Sequence, residues 1–220
     1  MIFLLSLLYL IILYGAWMAG WIHIRMENPG VPPLKIINNI FGKPPLATLI
    51  LFVAVGIPTT IQFFHPPILT LLRRDTTAFL AGDWWRVITP LFVQDGGVSG
   101  SIFNLVSLFL VGSLAEYLWG RRRWLAISLI GGILSEVVAF AWQPVGAGNS
   151  VVNFALAAGI ATLILARTPS RSARLFAYSV LGAGICLLIL HDIHGAATAL
   201  GGTISLILVQ LDRNASPKRA

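Results

Sequence analysis

Seven separate runs of apolar residues decide what this chain can fold into. They lie at about 1–23, 46–64, 101–119, 124–142, 150–166, 174–190 and 194–210. Each is roughly 17–24 residues long, the length a helix needs to cross a hydrocarbon layer about 30 Å thick. In lipid every backbone N–H and C=O must be paired within the segment, so such runs have to be helical. The expected fold is all-α, a polytopic membrane helix bundle. With 57% hydrophobic and 10% charged residues, the chain is far from the balance of a water-soluble domain. The first run has no basic stretch ahead of it and Arg25 follows it closely, which marks a retained span rather than a cleaved leader.

The formal net charge is +7, but its distribution argues against nucleic acid as a partner. The basic residues sit in short segments between the runs. Arg25, Lys35 and Lys43 follow the first; Arg121, Arg122 and Arg123 follow the third; Arg167, Arg171 and Arg174 follow the fifth; Arg213, Lys218 and Arg219 end the chain. Seven spans put all four segments on one side, so twelve of the fifteen basic residues share it. The positive-inside bias makes that side cytoplasmic, with the N-terminus outside and the C-terminus inside. Residues 65–100, the 143–149 loop and the turn from His191 to His194 fall on the outer side. The single cysteine, Cys186, permits neither an intramolecular disulfide nor a cysteine-based metal site.

Pro29, Pro32, Pro33, Pro44 and Pro45 divide the chain. Residues 1–45 read as an N-terminal transmembrane helix and a proline-rich linker, 46–212 as a six-span core, and 213–220 as a cytoplasmic tail. Residues 65–100 mix Trp84, Trp85 and several leucines with Arg73, Arg74 and Asp75, the mixture of an interfacial loop with tryptophans at headgroup depth. A compact chain with no soluble domain and no Arg- and Ser-rich transit segment points to a bacterial inner membrane.

Ser150 and His194 open two spans from the same side. A serine hydroxyl becomes a nucleophile when a base lies within hydrogen-bond reach, and histidine titrates near working pH. The Ser150 N–H, at a helix N-terminus, is a natural donor to a developing oxyanion. Small residues recur after each: Ala157, Ala158 and Ala161 after Ser150, Ala197 and Gly201 after His194. Such stripes let membrane helices approach closely.

These residues belong to an ordered set: Gly82-x-Trp84-Trp85-Arg86-x-x-Thr89-Pro90, then Asn104, Gly112-x-x-x-Glu116, Gly148-x-Ser150, and His194-x-x-Ala197-x-x-x-Gly201. The set resembles the rhomboid intramembrane serine proteases over about residues 46–210. The resemblance implies a six-span core with one span added in front. It implies Ser150 as nucleophile and His194 as base, acting as a dyad although Asp192 is close in sequence. It implies oxyanion donors at Ser150 and Asn104, an aromatic Phe154 against the histidine ring, and structural roles for Trp85, Arg86, Glu116, Gly148 and Gly201. Substrates would be transmembrane segments of other membrane proteins, cut near the outer leaflet at small or helix-breaking residues. No metal or organic cofactor is implied. Three positions depart from the family pattern. Val151 replaces the glycine after the serine, Gly100 the histidine four residues before Asn104, and Gln94 the histidine after Thr89-Pro90-x-Phe92-x. Val151 and Gly100 favour the alternative, a rhomboid-like pseudoprotease that binds transmembrane helices without cutting them.

Taken singly, each feature has an ordinary reading: Ser150 a helix cap, Asn104 an interhelical hydrogen bond, Glu116 a contact to Arg121–Arg123 rather than a fastening for the first loop. Glu136 is an intramembrane acid with no partner evident from sequence, facing either a cavity or a neighbouring helix. His191 and His194 would point to similar sides of one continuous helix. The small-residue spacing selects His194.

Overall fold

The structure is a computed structural model describing residues 2–42 and 44–215. Seven of its helices are long and apolar enough to cross a membrane. In chain order the helices are α1 (Ile2–Glu27), α2 (Pro33–Gly42), α3 (Leu46–Phe64), α4 (Pro67–Leu72), α5 (Thr76–Leu80), α6 (Gly97–Trp119), α7 (Arg121–Trp142), α8 (Ser150–Arg167), α9 (Arg171–Ile189) and α10 (Ile193–Ala215). The chain is an all-α membrane bundle, as expected. The proline-rich segment is not wholly linker: Pro33 opens α2 at the position where its missing N–H costs nothing, and Ile36 and Ile40, four apart, are buried together. Arg213 lies in the last turn of α10 rather than in a separate tail. Lys43, Lys218 and Arg219 lie outside the described residues.

Helix α8 is the centre. Its apolar window is 72% buried, against 33–44% for the other spans. Lipid offers no hydrophobic force to draw helices together, so close packing of small residues has to do it. A Cβ on Gly201 of α10 would lie 2.3 Å from the Ala155 carbonyl oxygen of α8, so the two backbones touch there. The closest contact therefore falls on Ala155, not on Ala157, Ala158 or Ala161. Those three are buried as well, and a Cβ on the adjacent Gly202 would lie 4.0 Å from Ala158 Cβ. At the opposite end of α8 from Ser150, Asp212 pairs with Arg123 and Arg167, which gathers three of the basic segments at one end of the bundle.

Gly112 and Glu116 lie one helical turn apart on α6, facing α3. A Cβ on Gly112 would meet Thr48 Cγ2 at 2.9 Å, so glycine lets α3 in. Pro45 precedes α3 and has no side chain to cap it. Glu116 does so instead: its carboxylate accepts from Ala47 N (3.1 Å), Thr48 N (2.9 Å) and Thr48 Oγ1 (2.9 Å), with Arg121 Nε 3.3 Å away. Glu116 thus fastens the start of α3 and not the 65–100 segment, because orphan N–H donors at a helix N-terminus attract a carboxylate. Glu116→Ala is expected to cost about 1–3 kcal/mol, the range for a charged hydrogen bond and a stranded buried donor. Thermal unfolding in detergent, with Glu116→Gln losing less, is the check.

The Trp85-Arg86-x-x-Thr89 sequence closes the other end of α4. Helix α4 leaves its last carbonyls unpaired. Arg86 Nη1 donates to Thr70 O (3.0 Å) and Arg73 O (2.8 Å), Trp85 Nε1 to Leu71 O (3.3 Å), and Thr89 Oγ1 to Leu72 O (2.7 Å). Four successive carbonyls are satisfied by three side chains. Asp83 Oδ2 steadies Arg86 through its Nε at 2.9 Å. This fixes residues 65–100 as a shaped segment beside the bundle.

Candidate active site

Two short strands tie that segment to the loop before α8. β1 (Arg74–Asp75) pairs antiparallel with β2 (Val145–Gly146), Arg74 opposite Gly146. Ala147 N donates to Asp95 Oδ2 (2.9 Å) and Gly148 N to Pro90 O (2.9 Å), so the chain is held immediately before Ser150. Gly148 has φ +154, and a Cβ on it would lie 3.4 Å from Ser150 Oγ, 3.4 Å from Gln94 Oε1 and 3.5 Å from Asn104 Nδ2. Those separations are ordinary contacts; glycine is needed because residues with a Cβ rarely adopt that φ.

His194 comes from the first turn of α10. Ser150 Oγ and His194 Nε2 are 2.9 Å apart, and Nδ1 of the same ring is 2.7 Å from Asp192 Oδ1. Asp192 Oδ1 also accepts from the His194 backbone N at 2.9 Å. Tyr9 OH, from α1, donates to Asp192 Oδ2 at 2.7 Å. The His194 ring packs against two aromatics, with its centroid 4.5 Å from Tyr9 and 4.5 Å from Phe154, and those two rings touch each other edge-on at 5.3 Å. Burial alone would push the Asp192 carboxyl up. The hydrogen bond and charge of His194, joined by the Tyr9 hydroxyl, outweigh it, and Asp192 is held below its ordinary value.

His191 does not share a continuous helix with His194. The chain turns between α9 and α10, with His191 at φ +54, and its exposed ring stands edge-on to Trp142 at 5.2 Å. The expectation that both histidines point the same way fails at this turn.

Asn104 reaches the site through buried amides. Its Nδ2 donates to Gln94 Oε1 (2.8 Å), Gln94 Nε2 to Asn149 Oδ1 (2.7 Å), Asn149 Nδ2 to Asn153 Oδ1 (3.4 Å), and Asn153 Nδ2 to the Asn104 carbonyl (2.9 Å). Gln62 clamps the Gln94 backbone from α3, donating to Gln94 O (2.6 Å) and accepting from Gln94 N (3.0 Å). Sequence reasoning passed over Tyr9, Gln62, Asn149 and Asn153. Gln94 stood out only as a departure from pattern, and Asn149 and Asn153, four apart on an apolar helix, were the available signal.

Ser150, His194, Asn104, Gly148 and Phe154 line one cavity of about 260 Å³, together with Tyr9, Val151 and Gly100. Glu136 also faces it. Its partner is Arg74: the two form a buried ion pair through Nη1 and Oε2, while Arg74 Nε donates to Gln143 O at 2.7 Å. Glu136 thus has both a cavity and a partner, and the partner comes from β1 rather than from a neighbouring span. Val151 is buried in the cavity wall. A Cβ on Gly100 would meet nothing within 4 Å, and the side chain that bonds Asn104 Nδ2 is Gln94.

Residues 81–211, more than half of the chain, match the family model described as the Rhomboid domain. Among curated proteins, the chain is 31% identical over 71 residues to "Rhomboid protease GluP" of Bacillus subtilis (strain 168), covering 32% of this chain and 14% of that protein. It is 29% identical over 117 residues to "Putative rhomboid protease YdcA" of the same organism, 49% of this chain and 57% of that protein. It is 34% identical over 71 residues to "Rhomboid protease AarA" of Providencia stuartii, 32% of this chain and 25% of that protein. The matched part is thus between about a seventh and somewhat over half of each relative.

Proposed function

The chain belongs to the rhomboid family, and from that premise we propose that it is a serine endopeptidase cutting transmembrane segments of other membrane proteins. The observation that carries this reading is the 2.9 Å contact between Ser150 Oγ and His194 Nε2 at the cavity. Ser150 Oγ attacks the scissile carbonyl while Nε2 takes its proton. The tetrahedral intermediate collapses as Nε2 returns that proton to the leaving amine, and an acyl group remains on Ser150. Water, activated by the same nitrogen, releases the acid and restores the hydroxyl. The Ser150 N–H is one of the first four of α8, which no helical carbonyl can take, so it is open to the oxyanion. Asn104 Nδ2 carries two hydrogens; Gln94 takes one and the other is left for the oxyanion. Phe154 and Tyr9, in contact with each other, both pack against the imidazole.

A fluorophosphonate probe tests this. It should label the purified protein at Ser150, and labelling should vanish in Ser150→Ala. A pseudoprotease would show no Ser150-dependent labelling.

Asn104→Ala is expected to lower turnover about ten- to a thousandfold, the scale of losing one preorganised donor. Gln94 accepts from Asn104 and offers no donor in its place at that bond. Turnover within a factor of two of the parent would make Asn104 purely structural.

The proposed setting is a bacterial inner membrane, N-terminus outside and C-terminus cytoplasmic, so that the cavity opens toward the outer leaflet. The charge asymmetry and the bacterial relatives support it. Reporter fusions after residue 122 and after residue 220 should both report cytoplasm. An external signal at either point would overturn the orientation.

A further inference from the structure

We propose that Asp192, held by the hydroxyl of Tyr9 from the first span, is the positioning carboxylate for His194, so that the N-terminal span is part of the active site rather than an appendage to a six-helix enzyme. The inference rests on the reading of Ser150 and His194 as nucleophile and base, and it adds a third and a fourth member to that pair.

The geometry gives each oxygen of Asp192 a separate task. Oδ1 lies 2.7 Å from His194 Nδ1 and accepts from the His194 backbone N at 2.9 Å; Oδ2 accepts from Tyr9 OH at 2.7 Å. A carboxylate only accepts, so the ring proton sits on Nδ1 and Nε2 is left with its lone pair toward Ser150 Oγ. That is the tautomer a general base needs. As Nε2 takes the serine proton the ring becomes cationic, and an anion 2.7 Å away stabilises it. Asp192 is only 5% exposed, so water screens this interaction little.

An ordinary explanation exists for part of this. Asp192 sits just before α10, and its bond to the His194 backbone N is a helix cap. A cap needs one acceptor oxygen. It accounts neither for the imidazole on the same oxygen nor for a hydroxyl brought to the other oxygen from 183 residues away. Tyr9 also lies with its ring 4.5 Å from His194 and 5.3 Å from Phe154. Helix α1 packs along α9 and α8, which delivers that side chain to the turn between α9 and α10.

The test separates charge from cap. Asn caps a helix as well as Asp does and keeps the shape, so Asp192→Asn removes the charge and leaves the cap. With the full chain in detergent, fluorophosphonate labelling rate, kcat and KM are measured. Asp192→Asn should slow labelling and kcat by at least about a hundredfold, with KM within about threefold of the parent. Tyr9→Phe, which keeps the ring, should slow both by about three- to tenfold and should add nothing in the Asp192→Asn background. If Asp192→Asn fails to fold, Asp192→Ser keeps a capping hydroxyl and takes its place, with the same expected loss. Labelling within threefold of the parent in the folded charge-free variant would overturn the proposal and leave Asp192 a cap. A Tyr9→Phe effect that is absent, or equal in both backgrounds, would remove Tyr9 from it. A parent that shows no Ser150-dependent labelling would instead defeat the protease reading beneath it.

Discussion

Ser150→Ala is expected to reduce cleavage of a reconstituted model span by at least about four orders of magnitude, the scale on which a lone serine nucleophile is missed. The substitution removes one oxygen, the atom 2.9 Å from His194 Nε2, and leaves the opening of α8 otherwise intact. Folding in detergent should be unchanged. Any residual rate above background would report what the Ser150 N–H and Asn104 contribute without covalent chemistry. Equal proteolysis by the alanine variant, or a serine-reactive probe found on another residue, would sink the assignment.

His194→Ala should be nearly as severe, because without the base the hydroxyl has no proton acceptor and the leaving amine no donor. His191→Ala should stay within about a factor of two of the parent, as surface substitutions do. The contrast follows from the turn at His191: its ring is spent on Trp142, whereas that of His194 packs against Tyr9 and Phe154 and faces Ser150. Both variants are assayed in one reconstituted system, with melting temperatures to establish equal folding. The reverse ranking would move the site outward to the turn.

The spans were legible because lipid permits one backbone solution, so length and apolarity suffice. The helix mouths at Ser150 and His194 were legible for the same reason: each stands where an apolar run begins. Partners across the bundle were not. Glu116 could be flagged as an acid needing a partner, but only the uncapped start of α3 beside Gly112 says which one. Glu136 needed Arg74, which the sequence places in a loop. Tyr9 was invisible because α1 is apolar all round, and such a helix names no face. Asp192 was visible two residues from His194, yet the two bonds made by its Oδ1 depend on the turn before α10, which periodicity does not encode.

The amides around Asn104 have a sense of direction, and one backbone atom sets it. The Asn104 carbonyl can only accept, so Asn153 must turn its nitrogen toward it and its oxygen toward Asn149. Asn149 must then offer nitrogen to Asn153 and oxygen to Gln94, and Gln94 must offer oxygen to Asn104. Asn104 is thereby left with its nitrogen, and not its oxygen, beside Ser150. Reversing Asn153, Asn149 or Gln94 would set oxygen against oxygen on one side and nitrogen against nitrogen on the other. A planar side chain with two nearly isosteric ends is thus given a fixed polarity, passed from a peptide bond of α6 through α8 and the segment before α6 and back to the same residue. With Asn104 as the proposed oxyanion donor, the charge that a reacting carbonyl meets is decided four links away.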